Sequence, residues 1–200
     1  MTASGRGLFI AFEGGEASGK STQAARLAAR LDAVLTREPG GTEVGEQIRS
    51  LLLDPSGVVD ARAEALLMAA ARAQHVAEVI EPALVAGRHV VTDRFTASSL
   101  AYQGFGRGLP IEEVRALSTF ATGGLVPDLT VLLDLDPAVA AARRSREHDR
   151  LEAAGDEFHA RVRSGFLALV DPTWLVVDGA LPAEEVEAAV WSRLSGILSA

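Results

Sequence analysis

The chain has 200 residues, of which 19 are basic and 27 acidic, a net charge of −8, and no cysteine. A hydrophobic fraction of 48% with 23% charged residues is typical of a folded globular protein and argues against disorder. The lack of cysteine excludes disulfides, thiolate metal sites and a cysteine nucleophile. The acidic balance argues against binding to nucleic acid or an anionic membrane. Because no apolar run has the length of a signal peptide core or a membrane span, the sequence predicts a cytoplasmic protein.

Short apolar runs alternate along the chain with segments of helical periodicity. The runs lie at 8–13, 33–36, 89–93, 129–135 and 174–178, and such continuous apolar character is typical of strands covered on both faces. The helical segments lie at 20–31, 43–53, 61–86, 111–122, 137–147, 156–170 and 183–198. This alternation predicts one α/β domain over 1–200, with a doubly wound five-stranded parallel sheet. Ligands of such sheets bind beyond the carboxyl ends of the strands, which directs attention to the residues there.

The segment after the first strand has the pattern of a phosphate-binding loop. Within 13–22, residues 14–21 fit G-x-x-x-x-G-K-S between a predicted strand and a predicted helix. In such loops backbone N–H groups bind phosphate oxygens, the lysine reaches the β- and γ-phosphates, and the hydroxyl ligates Mg²⁺. The alternative is a glycine-rich turn with a snorkelling lysine, but motif and context together favour a nucleotide site. The ATP-binding candidates in the loop are Gly14, Gly15, Glu16, Ala17, Ser18, Gly19, Lys20, Ser21 and Thr22.

The buried strand at 89–93 ends in Asp93-Arg94. An aspartate at this point orients Mg²⁺ or its waters, and the arginine bridges transferring phosphates, whereas the alternative is a surface ion pair. Ser21 and Asp93 are therefore the candidate metal-binding residues. The glycine-rich segment 102–108 is interpreted as a loop, either an ordinary one or one that closes over a flat ligand.

Arginines on three further segments are candidates for binding phosphate or a nucleotide. Arg37 flanks a Pro-Gly-Gly turn and Arg49 lies on the next predicted helix, so that both could face an acceptor phosphate. Arg72 lies among small residues of the helix at 61–86, with an ordinary exposed arginine as the alternative. A basic cluster is interpreted as a lid at about 143–155, with a solvated helix end as the alternative. That cluster comprises Arg143, Arg144, Arg146, His148 and Arg150.

The sequence resembles bacterial thymidylate kinases, which are P-loop kinases that phosphorylate dTMP with ATP and Mg²⁺. The resemblance covers nearly the whole chain and lies in the motifs FEGGEASGKST, TREPGGT, ARAQ, VVTDRF, SSLAYQGFGRG, PDLTVLLDL and DRLE, in that order. It implies a P-loop kinase fold, dTMP and ATP as binding partners, Mg²⁺ as cofactor and a homodimer. Two positions depart from the family pattern: Met68 replaces a phenylalanine that stacks on thymine, and Ala97 replaces a common carboxylate.

The resemblance also implies roles for individual residues. Lys20 and Ser21 would hold the ATP phosphates and Mg²⁺, and Arg150 and Arg146 of the lid would reach ATP. Arg94 would bind the dTMP phosphate and Glu13 would lie near its sugar. The implied catalytic residues are Lys20, Arg94, Arg150 and Glu13. The acceptor-binding region would span 37–105, and the implied substrate-binding residues are Glu13, Arg37, Pro39, Arg49, Met68, Arg72, Arg94, Ser99, Tyr102 and Gln103, with Tyr102 beside the deoxyribose.

Three alternatives to a dTMP kinase stay open at this point. A small P-loop kinase for another monophosphate or a nucleoside is disfavoured by the segments EPGGT and AYQG. A P-loop switch ATPase would carry N-K-x-D or an acidic pair after a buried strand, and the sequence has neither. A non-catalytic scaffold is disfavoured because the phosphate-handling residues are intact.

Overall fold

The structure, a computed structural model, describes residues 5–143 and 149–199. Its strands form a five-stranded parallel sheet in the order β2-β3-β1-β4-β5. The strands are β1 Phe9–Gly14, β2 Val34–Arg37, β3 Val90–Asp93, β4 Leu129–Asp134 and β5 Trp174–Asp178. The prediction of a doubly wound α/β sheet of five parallel strands is confirmed.

Helices connect the strands and cover both faces of the sheet. They are α1 Lys20–Leu31, α2 Glu43–Leu53, α3 Ala61–His75, α4 Glu81–Val85, α5 Thr96–Ser99, α6 Ile111–Thr122, α7 Pro137–Arg143, α8 Asp156–Leu169 and α9 Ala183–Leu198. Two π-helical segments, Val76–Ile80 and Leu100–Gly106, continue α3 and α5, and Glu152–Ala154 is a 3₁₀ turn. The predicted helix at 137–147 is described as far as Arg143, and its last residues lie outside the described part. Among the described residues, no helix is both long enough and apolar enough to cross a membrane.

Strand β1 is buried on both faces because its side chains alternate between two apolar layers. Ile10 and Phe12 pack with α1 and α9 on one face, whereas Phe9 and Ala11 pack with the helical run that follows α3 on the other. Complete burial of one such large side chain contributes about 1.5–3 kcal/mol. The central strand is therefore held firmly, and its carboxyl end is a rigid base for the residues that follow it.

The register of the strands brings their polar ends together. Asp93 at the end of β3 pairs with Phe12 of β1 on one side and with Arg37 of β2 on the other. Gly14, where the phosphate loop begins, pairs with Leu133 of β4. The segments singled out from the sequence therefore meet at the carboxyl edge of the sheet.

The glycine-rich segment after β3 is helical where a loop was predicted. Leu100–Gly106 is buried except for the half-buried Phe105, and it continues α5 as a π-helix. A Cβ on Gly104 would lie 2.5 Å from Ile111 Cδ1, and one on Gly106 would lie 2.6 Å from Phe158 Cε2. These glycines therefore serve close packing of the helix against its neighbours, which the sequence pattern alone does not distinguish from a turn.

Candidate active site

The loop that joins β1 to α1 has backbone conformations that depend on glycine. The φ angles of Gly14 and Gly19 are 141° and 91°, in the region that side chains rarely allow. A Cβ on Gly14 would also lie 2.4 Å from the carbonyl oxygen of Leu133. Gly19 is the N-cap of α1 and offers no side chain to cap its first turn. Loop and helix N-terminus thus have the geometry of sites that bind phosphate through backbone N–H groups.

Lys20, the first residue of α1, lies with its ammonium group inside this loop. Its Nζ donates to the carbonyl oxygen of Gly15 at 2.6 Å and to Ser18 Oγ at 3.3 Å. The residue is only 6% exposed. Burial and then the charge of Arg94 lower the pKa of Lys20 to about 8, although Glu16 opposes the effect. The charged form of Lys20 is therefore destabilised in this environment, and an anionic ligand beside it would stabilise it.

Ser21 and Asp93, the predicted metal ligands, lie against each other. Ser21 Oγ donates to Asp93 Oδ2 at 2.5 Å, and Asp93 Oδ1 is buried without a hydrogen-bond partner among the described residues. Carboxylate and hydroxyl oxygens suit Mg²⁺, which takes its other ligands from phosphates and water. In the described ranges no cluster of three or more His, Asp or Glu residues could hold a metal alone. The pair therefore fits a magnesium ion that arrives with a nucleotide.

Two cavities meet at the carboxyl edge of the sheet. The loop cavity, about 510 Å³, extends over the phosphate loop, the first turn of α1, Asp93 and Arg143. The inner cavity, about 140 Å³, lies between α2, α3, the π-helix that continues α5 and the segment 149–152. Both are lined by Glu16, Glu38, Arg49 and Arg94. A ligand in one cavity therefore lies next to a ligand in the other.

Arg94 is held at the junction of the two cavities. Its φ of 75° is unusual for a residue with a side chain, and such backbone strain persists only where the surroundings enforce it. Its Nη1 donates to the Gly14 carbonyl at 3.0 Å and to Ser98 Oγ at 3.2 Å. Its Nη2 donates to Glu16 at 2.5 Å and to the Tyr102 hydroxyl at 3.1 Å. The guanidinium group is therefore preorganised between the cavities.

Glu16, predicted at the ATP site, also faces the inner cavity. The Tyr102 hydroxyl donates to the same Oε1 at 2.9 Å that receives Arg94. Burial alone would raise the pKa of Glu16, but Arg94 and then Lys20 outweigh it and hold the pKa at about 2. Glu16 is thus an ionised hydrogen-bond acceptor in the wall of the inner cavity.

The structure does not place Glu13 beside the inner cavity, where the resemblance put it. Glu13 is fully buried, and its carboxylate accepts from the N–H groups of Phe95 and Ser98 at 2.9 and 3.2 Å and from Ser98 Oγ at 2.6 Å. Burial raises its pKa to about 7, against the effect of these hydrogen bonds and of Arg94. Glu13 therefore fixes the start of α5, and it is linked to Arg94 through the hydroxyl of Ser98.

Arg72 is a buried wall residue of the inner cavity, not an exposed helix arginine. It is 2% exposed, and its Nε donates to Glu38 at 2.7 Å. Its two terminal nitrogens donate to Ser99 Oγ and to the Phe95 carbonyl, each at 3.0 Å. Glu38 also lies 3.0 Å from Nδ1 of the buried His75. A guanidinium group has five N–H donors, so Arg72 keeps two for a ligand.

Arg37 and Arg49 lie in the loop cavity. Arg37 is half exposed and donates to both oxygens of Glu46 at 3.0 and 3.1 Å. Arg49 donates to the carbonyl of Pro39 at 2.8 Å, and burial, followed by the charge of Arg37, lowers its pKa. These cations add positive charge to the loop cavity, and Arg49 also lines the inner cavity.

The far end of the inner cavity is apolar with one amide. Met68, Leu53, Leu151 and the ring of Tyr102 line it, and Gln103 contributes the polar group. Met68 packs with Leu151 in one buried cluster, so the described part of the predicted lid, from residue 149 onward, covers this cavity. Pro39 and Ser99, which were also predicted to bind the substrate, line the inner cavity as well.

Arg150, the predicted lid arginine, is held away from the phosphate loop. Its Nη1 forms an ion pair with Glu64 at 2.8 Å and its Nε donates to the Leu52 carbonyl at 2.8 Å. The structure therefore places Arg150 in the support of the inner cavity, and contact with a γ-phosphate stays a prediction. Arg144, Arg146 and His148 of the predicted lid lie outside the described residues, and Arg143 lines the loop cavity and donates to the Gly179 carbonyl at 2.8 Å.

Sequence reasoning missed the acidic partners of the site arginines. Glu38 lies inside the motif TREPGGT and was visible there, although nothing local shows that it holds Arg72. Glu64 precedes Met68 and Arg72 by one and two helical turns, and this spacing was a signal that all three share a face. Glu38 pairs with Arg72 and Glu64 pairs with Arg150, and in both cases the partner lies far away along the chain.

Comparison with known proteins agrees with this geometry. The family model described as thymidylate kinase matches residues 12–190. The chain belongs to the thymidylate kinase family. The thymidylate kinase of Leifsonia xyli subsp. xyli is 54% identical over 201 residues, which cover 95% of this chain and 95% of that protein. That of Deinococcus radiodurans is 50% identical over 200 residues, covering 95% and 97%, and that of Bifidobacterium longum is 52% identical over 200 residues, covering 94% and 97%.

Membership of the thymidylate kinase family confirms the resemblance drawn from the motifs. It also confirms that the chain is an ATP-dependent nucleoside monophosphate kinase. The two adjoining cavities have the arrangement that a kinase with two nucleotide ligands needs.

Proposed function

We propose that this kinase forms dTDP by transferring the γ-phosphoryl group of ATP to dTMP across the junction of its two cavities. The observation that carries the proposal is the shared wall, in which Glu16 and Arg94 line both cavities. A triphosphate on the phosphate loop and a monophosphate nucleotide in the inner cavity would bring their phosphates together at this wall. Holding two reactants in line in this way supplies a large part of catalysis in phosphoryl transfer.

On the ATP side, the loop N–H groups and Lys20 would hold the β- and γ-phosphates. Ser21 and Asp93 would hold Mg²⁺, which neutralises charge on the triphosphate when it is bound. The free Oδ1 of Asp93 and its neighbouring hydroxyl support this assignment. ATP and Mg²⁺ would enter the loop cavity together.

On the dTMP side, each part of the acceptor has a matching group in the inner cavity. Arg94 would bind the 5′-phosphate, with Arg49 and Arg37 beyond it. The Glu16 carboxylate and the Tyr102 ring would lie at the deoxyribose, where an ionised acceptor suits a sugar hydroxyl. Arg72 would donate to a base carbonyl, Gln103 would accept the ring N–H, and Met68 would contact the base through its polarizable sulfur.

In the transfer step, an oxygen of the dTMP phosphate forms a bond to the γ-phosphorus while the bond to the β,γ-bridging oxygen breaks. ADP leaves with the electron pair of that bond. The acceptor is already an anion, so no protein base is needed. Lys20 and Arg94 would offset the charge on the transferring oxygens, which is the main contribution that the protein makes.

The test is a coupled assay of ADP release with dTMP, dUMP, dCMP, AMP and GMP as acceptors. We expect dTMP to be among the two best acceptors, and ADP release without an acceptor to be slow. If another monophosphate were preferred over dTMP and dUMP, the acceptor assignment would be wrong. Acceptor-independent ADP release would instead favour a switch ATPase.

A homodimer is the further part of this proposal. The lining of the groove between α3 and α6 includes Leu66, Leu117, Arg62 and Glu113. Leu66 and the nearby Phe120 of α6 are largely exposed. Opposite charges on one patch suit pairing with the same patch of a second copy. Sedimentation should give a dimer that Leu66→Glu dissociates, and a monomeric wild type would contradict the proposal. The proposal includes a cytoplasmic location without nucleic acid or membrane partners, which action on free nucleotides would support.

A further inference from the structure

Glu64 is a fully buried carboxylate that the reaction does not use. It lies on α3 behind the inner cavity and joins α3 to the π-helix after α5 and to Arg150. Arg150 Nη1 lies 2.8 Å from Oε2, and Arg107 reaches both oxygens through Nε at 3.2 Å and Nη2 at 3.1 Å. The Nε2 of Gln103 donates to Oε1 at 2.9 Å.

A buried charge of this kind is expensive unless it is paired. Two guanidinium groups donate to Glu64, so toward Gln103 it acts only as a hydrogen-bond acceptor. An amide beside such an acceptor must turn its nitrogen toward it. The carbonyl oxygen of Gln103 is therefore the atom left for the inner cavity, which Gln103 lines. Within the described ranges, that oxygen has no hydrogen-bond partner.

We propose that Glu64 is a positioning residue that makes the kinase select bases with a ring N–H beside a carbonyl. By fixing the Gln103 amide, it presents an acceptor in the same cavity in which Arg72 presents donors. Thymine and uracil match this pair through N3–H and the C4 carbonyl. Cytosine has an acceptor at N3 and an amino group at C4, so it would place acceptor against acceptor and donor against donor.

The inference rests on the proposed function, because it concerns how the inner cavity recognises the base of the acceptor nucleotide. The change that tests it is Glu64→Gln. The one oxygen of the introduced amide would take the site between Arg107 and Arg150, where both guanidinium groups donate. The introduced NH₂ would then face Gln103, which must turn its carbonyl toward that NH₂ and its own NH₂ into the cavity.

The measurement is kcat/KM for dTMP, dUMP and dCMP in the wild type and in E64Q. We expect the dTMP-to-dCMP ratio to fall at least about tenfold, the effect of reversing one buried hydrogen bond. The dUMP-to-dTMP ratio should stay within about twofold, because it depends on the methyl group, which this pair does not contact. A merely structural role would lower all three values together and leave both ratios unchanged.

Arg107→Met is the matched control, because it removes one partner of Glu64 and leaves the contact with Gln103. Its dTMP-to-dCMP ratio should equal that of the wild type. If E64Q does not fold, E64Q combined with R107M gives the same readout, since the Arg107 Nε that would face the introduced NH₂ is gone.

A folded E64Q protein, or folded double variant, with an unchanged dTMP-to-dCMP ratio would overturn the role of Glu64. That result would leave the proposed function intact. A wild type that does not prefer dTMP over dCMP would instead contradict the proposed function itself.

Discussion

Lys20→Met is expected to stabilise the nucleotide-free protein while it removes activity. The lysine is almost fully buried, and its pKa is lowered from 10.5 to about 8 by burial and by Arg94. At 1.36 kcal/mol for each pH unit, this corresponds to about 3 kcal/mol of unfavourable free energy for the charged lysine at pH 7. This unfavourable free energy lowers the stability of the nucleotide-free protein, and an anion bound to the loop would offset it.

Methionine removes that cost but also removes the hydrogen bonds to Gly15 and Ser18, each of which contributes about 1 kcal/mol. The expected net gain is about 1–2 kcal/mol in the free energy of unfolding. For a chain of this size it corresponds to a rise in Tm of roughly 2–8 °C. Turnover should fall by about 10²–10³, the usual effect of losing one group that stabilises the transition-state charge.

The assay is thermal unfolding at pH 7 in a buffer free of phosphate and sulfate, because an anion on the loop would stabilise only the wild type. Arg163→Met is the control, since it also replaces a cation by methionine but breaks the partly exposed pair with Asp134, which is worth at most about 1 kcal/mol. A Tm of Lys20→Met below that of the wild type would refute the reasoning.

The pH dependence provides a second check on the same variant. Between about pH 8 and pH 10.5 the unfolded wild type binds a proton at Lys20 that the folded protein has lost. Wild-type stability from this group therefore rises with pH across that window. The advantage of Lys20→Met should shrink from pH 7 to pH 9.5, and a constant difference would show that the buried charge is not its source.

Three further variants probe the support of the site. Burial raises the pKa of Glu13 to about 7, so the contribution of this group to stability falls as the pH rises from about 4.5 to 7. The Tm of Glu13→Gln should therefore fall less than that of the wild type between pH 5 and pH 8. Parallel curves of Tm against pH would contradict this. Glu38→Ala leaves the buried Arg72 without its carboxylate and should lower the free energy of urea unfolding by about 3–5 kcal/mol, whereas a loss below about 1 kcal/mol would contradict the pairing. Met68→Phe should tighten dTMP binding about 2- to 10-fold in calorimetry through ring stacking on the base, and weaker binding would contradict that placement.

The features that were readable from the sequence are those fixed locally. The phosphate loop, the strand ends at Asp93 and Arg37, and the helix that carries Arg72 all follow from short motifs and periodicity. The sheet order adds only that these ends meet at one edge, as expected for parallel strands.

The carboxylates Glu13 and Glu16 differ in how far the local pattern determines their position. Glu13 belongs to β1, and the alternation of side chains along a strand puts it on the side of Phe9 and Ala11, beneath α5. The predicted strand at 8–13 already contained this information, but the resemblance directed attention elsewhere. Glu16, beyond the strand, is free of that alternation and faces the ligand cavities.

Other features depend on partners far along the chain. Arg150 pairs with Glu64 on α3, and the glycines of Leu100–Gly106 are explained by Ile111 and Phe158. No local pattern specifies such pairings, because they are decided by which surfaces pack in the fold. For this reason the sequence did not show that Leu100–Gly106 is helical or that Arg150 pairs with Glu64, and the contact of Arg150 with ATP stays a prediction.

The use of arginine at every other basic position gives the protein an unusual chemical handle. Lys20 is the only lysine among 200 residues, it lines the loop cavity, and its low pKa leaves a substantial fraction as the free amine at mildly basic pH. Guanidinium groups do not react with acylating reagents or aldehydes under such conditions, so an amine-selective label would mark one internal position. The rate of that labelling, with and without ATP, would report directly on whether the phosphate loop is filled.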